Sequence, residues 1–223
     1  MTTSGARAGS LTRRRNVRRT FCQSDLARCA VTFGVGALDA YLCDAFVDSL
    51  ARTMKQCRRD GTSLPSGYAK LALPAGPLLS SYKSRPNWGL RRAARAMMEK
   101  DNMLQLGRLR DLLNPNLPRG QKLWIDVAPQ YVALNRKRLA GISSAEYGAL
   151  TAPAKTDANK RAGAAVLRRI GTIIQRRHDI VHNCDRPKSA HQPLKVGTAK
   201  SMLPDIGSFV AILDGHLDAH WIY

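Results

Sequence analysis

A run of apolar and small residues at heptad spacing over residues 22–57 constrains this chain more than any other feature. Cys22, Leu26, Cys29, Phe33, Gly36, Ala40, Cys43, Val47, Leu50, Met54 and Cys57 follow one another in alternating steps of four and three. A β-strand alternates every second residue and cannot give this pattern. A long α-helix packed lengthwise on other helices does. Four of the five cysteines lie on the seam and read as small core residues. Gly34 and Gly36 weaken the helix but permit close helix contact. The run Gly34-Val35-Gly36 is no phosphate loop, since it lies inside the helical pattern and no third glycine follows.

The rest of the chain is punctuated as helices separated by turns. Asp60-Gly61, Pro65, Gly67, Pro74, Gly76-Pro77 and Pro86 make 60–88 an irregular connector with room for one short helix. Helical patterns run over about 89–113 and stop at Asn114-Pro115. A further helix is expected over 121–139, with Trp124, Val127, Tyr131 and Leu134 on one side. A short one is expected within 141–157. A clear amphipathic helix covers about 157–183, and a last helix about 200–221 carries Leu203, Ile206, Val210, Leu213 and Leu217. The fold class predicted is all-α, a bundle of four to five main helices. Residues 1–20 are expected to form a disordered basic arm, and 21–223 one helical domain.

Charge narrows the partners. The formal net charge is +20, and six arginines (Arg7, Arg13, Arg14, Arg15, Arg18 and Arg19) fall in the first nineteen residues. A field of that sign draws polyanions: RNA, DNA or an acidic membrane surface. The five cysteines are odd in number and form no C-x-x-C pair, so no secreted disulfide framework is indicated, and a cytoplasmic location is expected. No membrane-spanning helix and no secretory leader are expected.

The helix over 157–183 carries the chemistry. On a helical projection with Arg177 at zero, Val166, Ile170, Ile173, Ile174, Ile180 and Val181 fall within about 60° of it. A guanidinium at the centre of an apolar stripe is costly unless it is paired or lines a cleft. His178 and His182 fall together on the edge of the stripe, at roughly 100° and 140°. Arginine beside histidine suits phosphodiester cleavage. Arginine holds nonbridging oxygens and the charge that develops on them, and histidine moves a proton near neutral pH. By position alone, snorkelling of Arg177 and simple hydrogen bonding of the histidines are equally good readings.

Arg177-His178-Asp179-Ile180-Val181-His182 resembles the HEPN ribonuclease motif of Arg, a polar residue, three variable residues and His. Asn183-Cys184-Asp185-Arg186-Pro187 resembles the tail that often follows it, and Gly36-Ala37-Leu38-Asp39-Ala40-Tyr41-Leu42 looks like the first helix of the RiboL-PSP branch. The polar position is His178, where Asn is commoner. The resemblance implies that Arg177 and His182 are catalytic and that His178 orients the site. Arg176, Asn183 and Arg186 would contact the substrate. It also implies metal-independent RNA cleavage by 2′-hydroxyl attack, with no cofactor, in a homodimer whose two motifs face one cleft. A toxin or defence role follows from it, with an antitoxin or regulatory protein as a further partner. The alternatives are a noncatalytic HEPN-like module that binds RNA or pairs with a nucleotidyltransferase, and a basic helical nucleic-acid binder unrelated to the family. Zinc on His178, His182 and Cys184 is a weaker possibility. Trp88, Trp124 and Trp221 read as core or interface residues before base-stacking ones, and His216 and His220 as two residues sharing a helix face.

Overall fold

A computed structural model describes residues 5–79, 88–98, 104–118, 120–183 and 194–220, with side chains from Cys22 onward and that of Asn183 excepted. The described residues form helices and turns without strands. In order they are α1 (Gly5–Asp60), α2 (Ser66–Ala69), α3 (Ala75–Leu79), α4 (Trp88–Met98), α5 (Leu106–Leu113), a 3-10 turn (Asn114–Asn116), α6 (Leu123–Asp126), α7 (Ala128–Ala133), α8 (Lys137–Ala140), α9 (Ser144–Gly148), α10 (Ala152–Asn183) and α11 (Val196–His220).

Two expectations are corrected at once. The backbone of 5–20 is helix continuous with the seam helix, where a disordered arm was expected. Alanine, leucine and arginine favour helix, and no proline interrupts them. The stretch expected as one helix over 121–139 is three short ones. Pro129 starts a new helix at its N-terminal turn, and Asn135 takes a left-handed backbone with φ of 50°. The expected short helix in 141–157 is α9, set by a capping box in which Ser143 and Glu146 cap each other's backbone N–H groups.

The heptad seam does not stay on one face. Val47 and Leu50 are buried, but Leu26 and Phe33 are 70% and 77% exposed, and Cys22 and Cys29 lie in solvent. The buried stripe there is Ala27, Val31, Val35, Leu38, Leu42 and Phe46. A straight helix drifts about 20° per heptad, so over the five heptads from Cys22 to Cys57 the seam turns through about 100°. Its C-terminal half meets the core, and its N-terminal half has rotated into water. By length and composition alone the Cys22–Asp60 stretch of α1 is apolar enough to cross a bilayer. The buried stripe and the exposed seam together make it so, and a core helix meets the same criterion.

The core is a contiguous cluster from Ala27 to Leu217. α1 packs on α4, α10 and α11. It runs parallel to α11. Ser24 donates to the Leu194 carbonyl at one end (3.3 Å), and Tyr41 donates to Asp214 further along (3.0 Å). Gly34 lies where the two helices touch, since a Cβ there would come within 2.6 Å of the Leu203 side chain; Gly36 faces open space. A second close approach is Gly163 of α10, whose added Cβ would lie 2.5 Å from the Trp124 carbonyl oxygen. Trp124 is a core residue beside Phe209, with ring centroids 5.8 Å apart.

Candidate active site

Helix α10 positions the motif. Ala158, Ala162, Val166, Ile170 and Ile173 form its buried line, and Ile174 and Ile180 are only half-buried. Val181 is exposed. The apolar stripe therefore reaches the surface at the turn that carries Arg177, His178 and His182.

Two contacts hold α10 in place upstream of that turn. Asp205 of α11 is fully buried and takes Arg169 at 2.7 Å and Arg138 of α8 at 2.8 Å. Arg169 also donates to Ser201 at 3.3 Å. Burial pushes the Asp205 carboxyl up, but the hydrogen bonds from Arg138 and Arg169 outweigh it and hold it below the usual value. Nothing in the sequence singled out Asp205, although its place one residue before Ile206 on the apolar stripe was a signal.

At the motif, Arg177 is half-buried. Its Nε is shielded from solvent and has no hydrogen-bond partner among the described residues. His178 and His182 are exposed, and their rings meet with centroids 4.5 Å apart and planes inclined by 42°. The structure thus brings the two histidines together on the solvent side and sets Arg177 toward the core; no hydrogen bond joins Arg177 to either. Asp179, inside the motif, accepts from Gln175 at 2.9 Å and does not pair with Arg177. Arg176 is half-buried. Asn183 closes α10, and Cys184, Asp185, Arg186 and Pro187 lie outside the described residues.

Elsewhere, His216 is a core residue. Its Nδ1 meets the Gln130 amide at 3.2 Å, its ring stacks on His220 at 4.3 Å, and its buried Nε2 lacks a partner among the described residues. Burial, aided by the nearby His220, pulls its pKa down against the weaker pull of Asp126. The spacing Phe209, Leu213, His216 marks it as a stripe position, the signal that would have found it. Among the described residues no group of three or more His, Cys, Asp or Glu is placed to hold a metal ion.

The arrangement sets a half-buried cation on the apolar stripe and two exposed imidazole rings side by side at its edge. No protein-family model matches the chain, and no curated protein or solved structure matches it either.

Proposed function

We propose that this chain is a metal-independent endoribonuclease of the HEPN type, centred on Arg177 and His182. The observation that carries the reading is Arg177 itself. It is half-buried on an otherwise apolar stripe, beside two exposed histidines, and takes no acidic partner among the described residues. A structural arginine at that place would be neutralised by an acid, as Arg169 is by Asp205. An unneutralised one is suited to an anionic ligand.

In the reaction, a histidine takes the proton of a ribose 2′-hydroxyl, and the oxygen attacks the adjacent phosphorus. The bond to the 5′-oxygen breaks, and a protonated histidine supplies the proton that the leaving oxygen needs. Arg177 stabilises the charge on the nonbridging oxygens. The products carry a 2′,3′-cyclic phosphate and a 5′-hydroxyl, and DNA is refractory. A homodimer would bring the Arg177 of one copy to the histidines of the other, which suits a site whose arginine and histidines share no hydrogen bond within one copy. The exposed seam of Cys22, Leu26, Cys29 and Phe33 offers an apolar face for such pairing. A toxin or defence role in the cytoplasm, held in check by an antitoxin or regulatory protein, goes with this activity.

The test is incubation with total RNA in EDTA, comparing the wild type with His182→Ala and Arg177→Ala. Each variant should lose roughly 10²-fold or more in cleavage rate while retaining its helical spectrum. Full cleavage by a folded His182→Ala protein would refute the assignment. Binding of RNA without cleavage by the wild type would favour the noncatalytic module instead.

A further inference from the structure

The exposed line of α10 leads away from the motif and is used by nothing described so far. Arg161, Arg168, Gln175 and His182 recur every seventh residue, and all four are exposed. With His182 at zero, Gln175, Arg168 and Arg161 fall at about 20°, 40° and 60°, and Lys160 and His178 at about −40°. These six side chains share a sector about 100° wide with Asp157, which pairs with Lys160, and Asp179, which is half-buried and accepts from Gln175. The residues exposed between Arg161, Arg168 and Gln175, Ala164 and Thr172, are small and uncharged. From 158 to 178 the helix holds six cations and no acid. The cations are sorted by face. Arg169 turns inward to Asp205, and Arg177 is half-buried. Lys160 shares Asp157 at 3.1 Å. Arg161 and Arg168 stand in solvent with no ion-pair partner among the described residues.

We propose that the exposed stripe of α10 is a backbone track for single-stranded RNA, in which Arg161 and Arg168 hold phosphates and lead the strand to His178 and His182. This rests on the ribonuclease reading for its choice of RNA. From Arg161 to His182 the helix rises about 31 Å, the span of a site several nucleotides long. Arginine suits the task because its planar fork grips phosphate oxygens in two-point contacts. Two guanidinium groups one heptad apart, with no acid between them in the sequence, favour a flexible strand that can lie along a single helix. The track adds affinity for long strands and none for short ones, because a trinucleotide held at the histidines does not reach Arg168, two heptads away.

The probe is a twelve-nucleotide single strand with 2′-O-methyl riboses, which cannot be cleaved by 2′-hydroxyl attack, together with a trinucleotide of the same chemistry. Binding to the full chain is measured across a salt series for the wild type, Arg161→Gln/Arg168→Gln and Arg161→Lys/Arg168→Lys. The glutamine variant should bind the twelve-mer at least tenfold more weakly. The slope of log affinity against log salt should shrink by about 1.4, or 0.7 for each lost phosphate contact. The lysine variant should recover most of the slope, and the trinucleotide should bind all three proteins equally. Both positions are exposed, so an unchanged thermal melt is expected. An unchanged slope overturns the track, as does an equal loss for the trinucleotide or tighter binding of a twelve-base-pair duplex. Wild type that binds through the stripe but never cleaves unmodified RNA removes the ribonuclease reading and leaves the track standing. Cleavage with an unchanged slope does the reverse.

Discussion

Asp205→Asn is the perturbation whose cost the structure allows to be worked out. The carboxylate is fully buried and accepts three hydrogen bonds, from Arg169 at 2.7 Å and from Arg138 at 2.8 and 3.2 Å. Asparagine keeps the volume and removes the charge, so packing is unchanged. Taking one partner from a buried ion pair costs about 3–5 kcal/mol, because the other charge stays buried and unpaired. The two arginines do not contribute equally. The Arg138 side chain is half in solvent, with 52% of its surface exposed, and its share is screened to about 0–1 kcal/mol. The Arg169 side chain is 18% exposed and carries most of the loss. The expected destabilisation is about 2–3 kcal/mol, below the fully buried range. For a chain of this size that lowers Tm by about 4–12 °C. The pH dependence supplies the check. The folded pKa of Asp205 lies below its unfolded value. Its contribution is therefore present above about pH 4 and is lost as pH falls through the folded value. Thermal and urea unfolding followed by circular dichroism, at pH 7 and again at stepwise lower pH below 4, should find the variant destabilised at the first and its deficit shrinking through the second. A loss under about 0.5 kcal/mol at pH 7, or one that does not shrink in acid, would refute the argument.

His216, buried with its pKa held below the usual histidine value, makes the fold lose stability as pH drops below about 6.5, since the unfolded chain then binds the extra proton. His216→Gln, which can keep the bond to Gln130, should flatten that slope between about pH 7 and 5; an unaltered slope would assign it to other groups. The protein should scatter light as a homodimer of about twice the 24.5 kDa chain mass, and Leu26→Glu/Phe33→Glu on the exposed seam should halve that mass. A monomeric wild type, or a double variant that stays dimeric, would remove the seam from the interface.

Helix content and order were legible because they rest on local chemistry. The spacing of apolar residues along α1, α10 and α11, the proline and glycine punctuation of 60–88 and the Ser143–Glu146 cap act within a few residues of one another. So does the adjacency of His178 and His182, which four residues of helix enforce. Three matters needed the tertiary structure. The seam of α1 could not be assigned to core or solvent, because a small mismatch between 3.5 and 3.6 residues per turn accumulates over its length and only the neighbouring helices say where it ends. The stretch 121–139 has the apolar pattern of one helix, yet packing against Gly163 and Phe209 is met by three short ones. The environment of Arg177 depends on what faces it across space. Projection places it on the stripe, but whether a buried acid would answer it, as Asp205 answers Arg169, is decided by residues distant in the chain. Periodicity is a property of one helix. Burial and charge pairing belong to the contacts among several, and the chemistry of this site depends on those contacts.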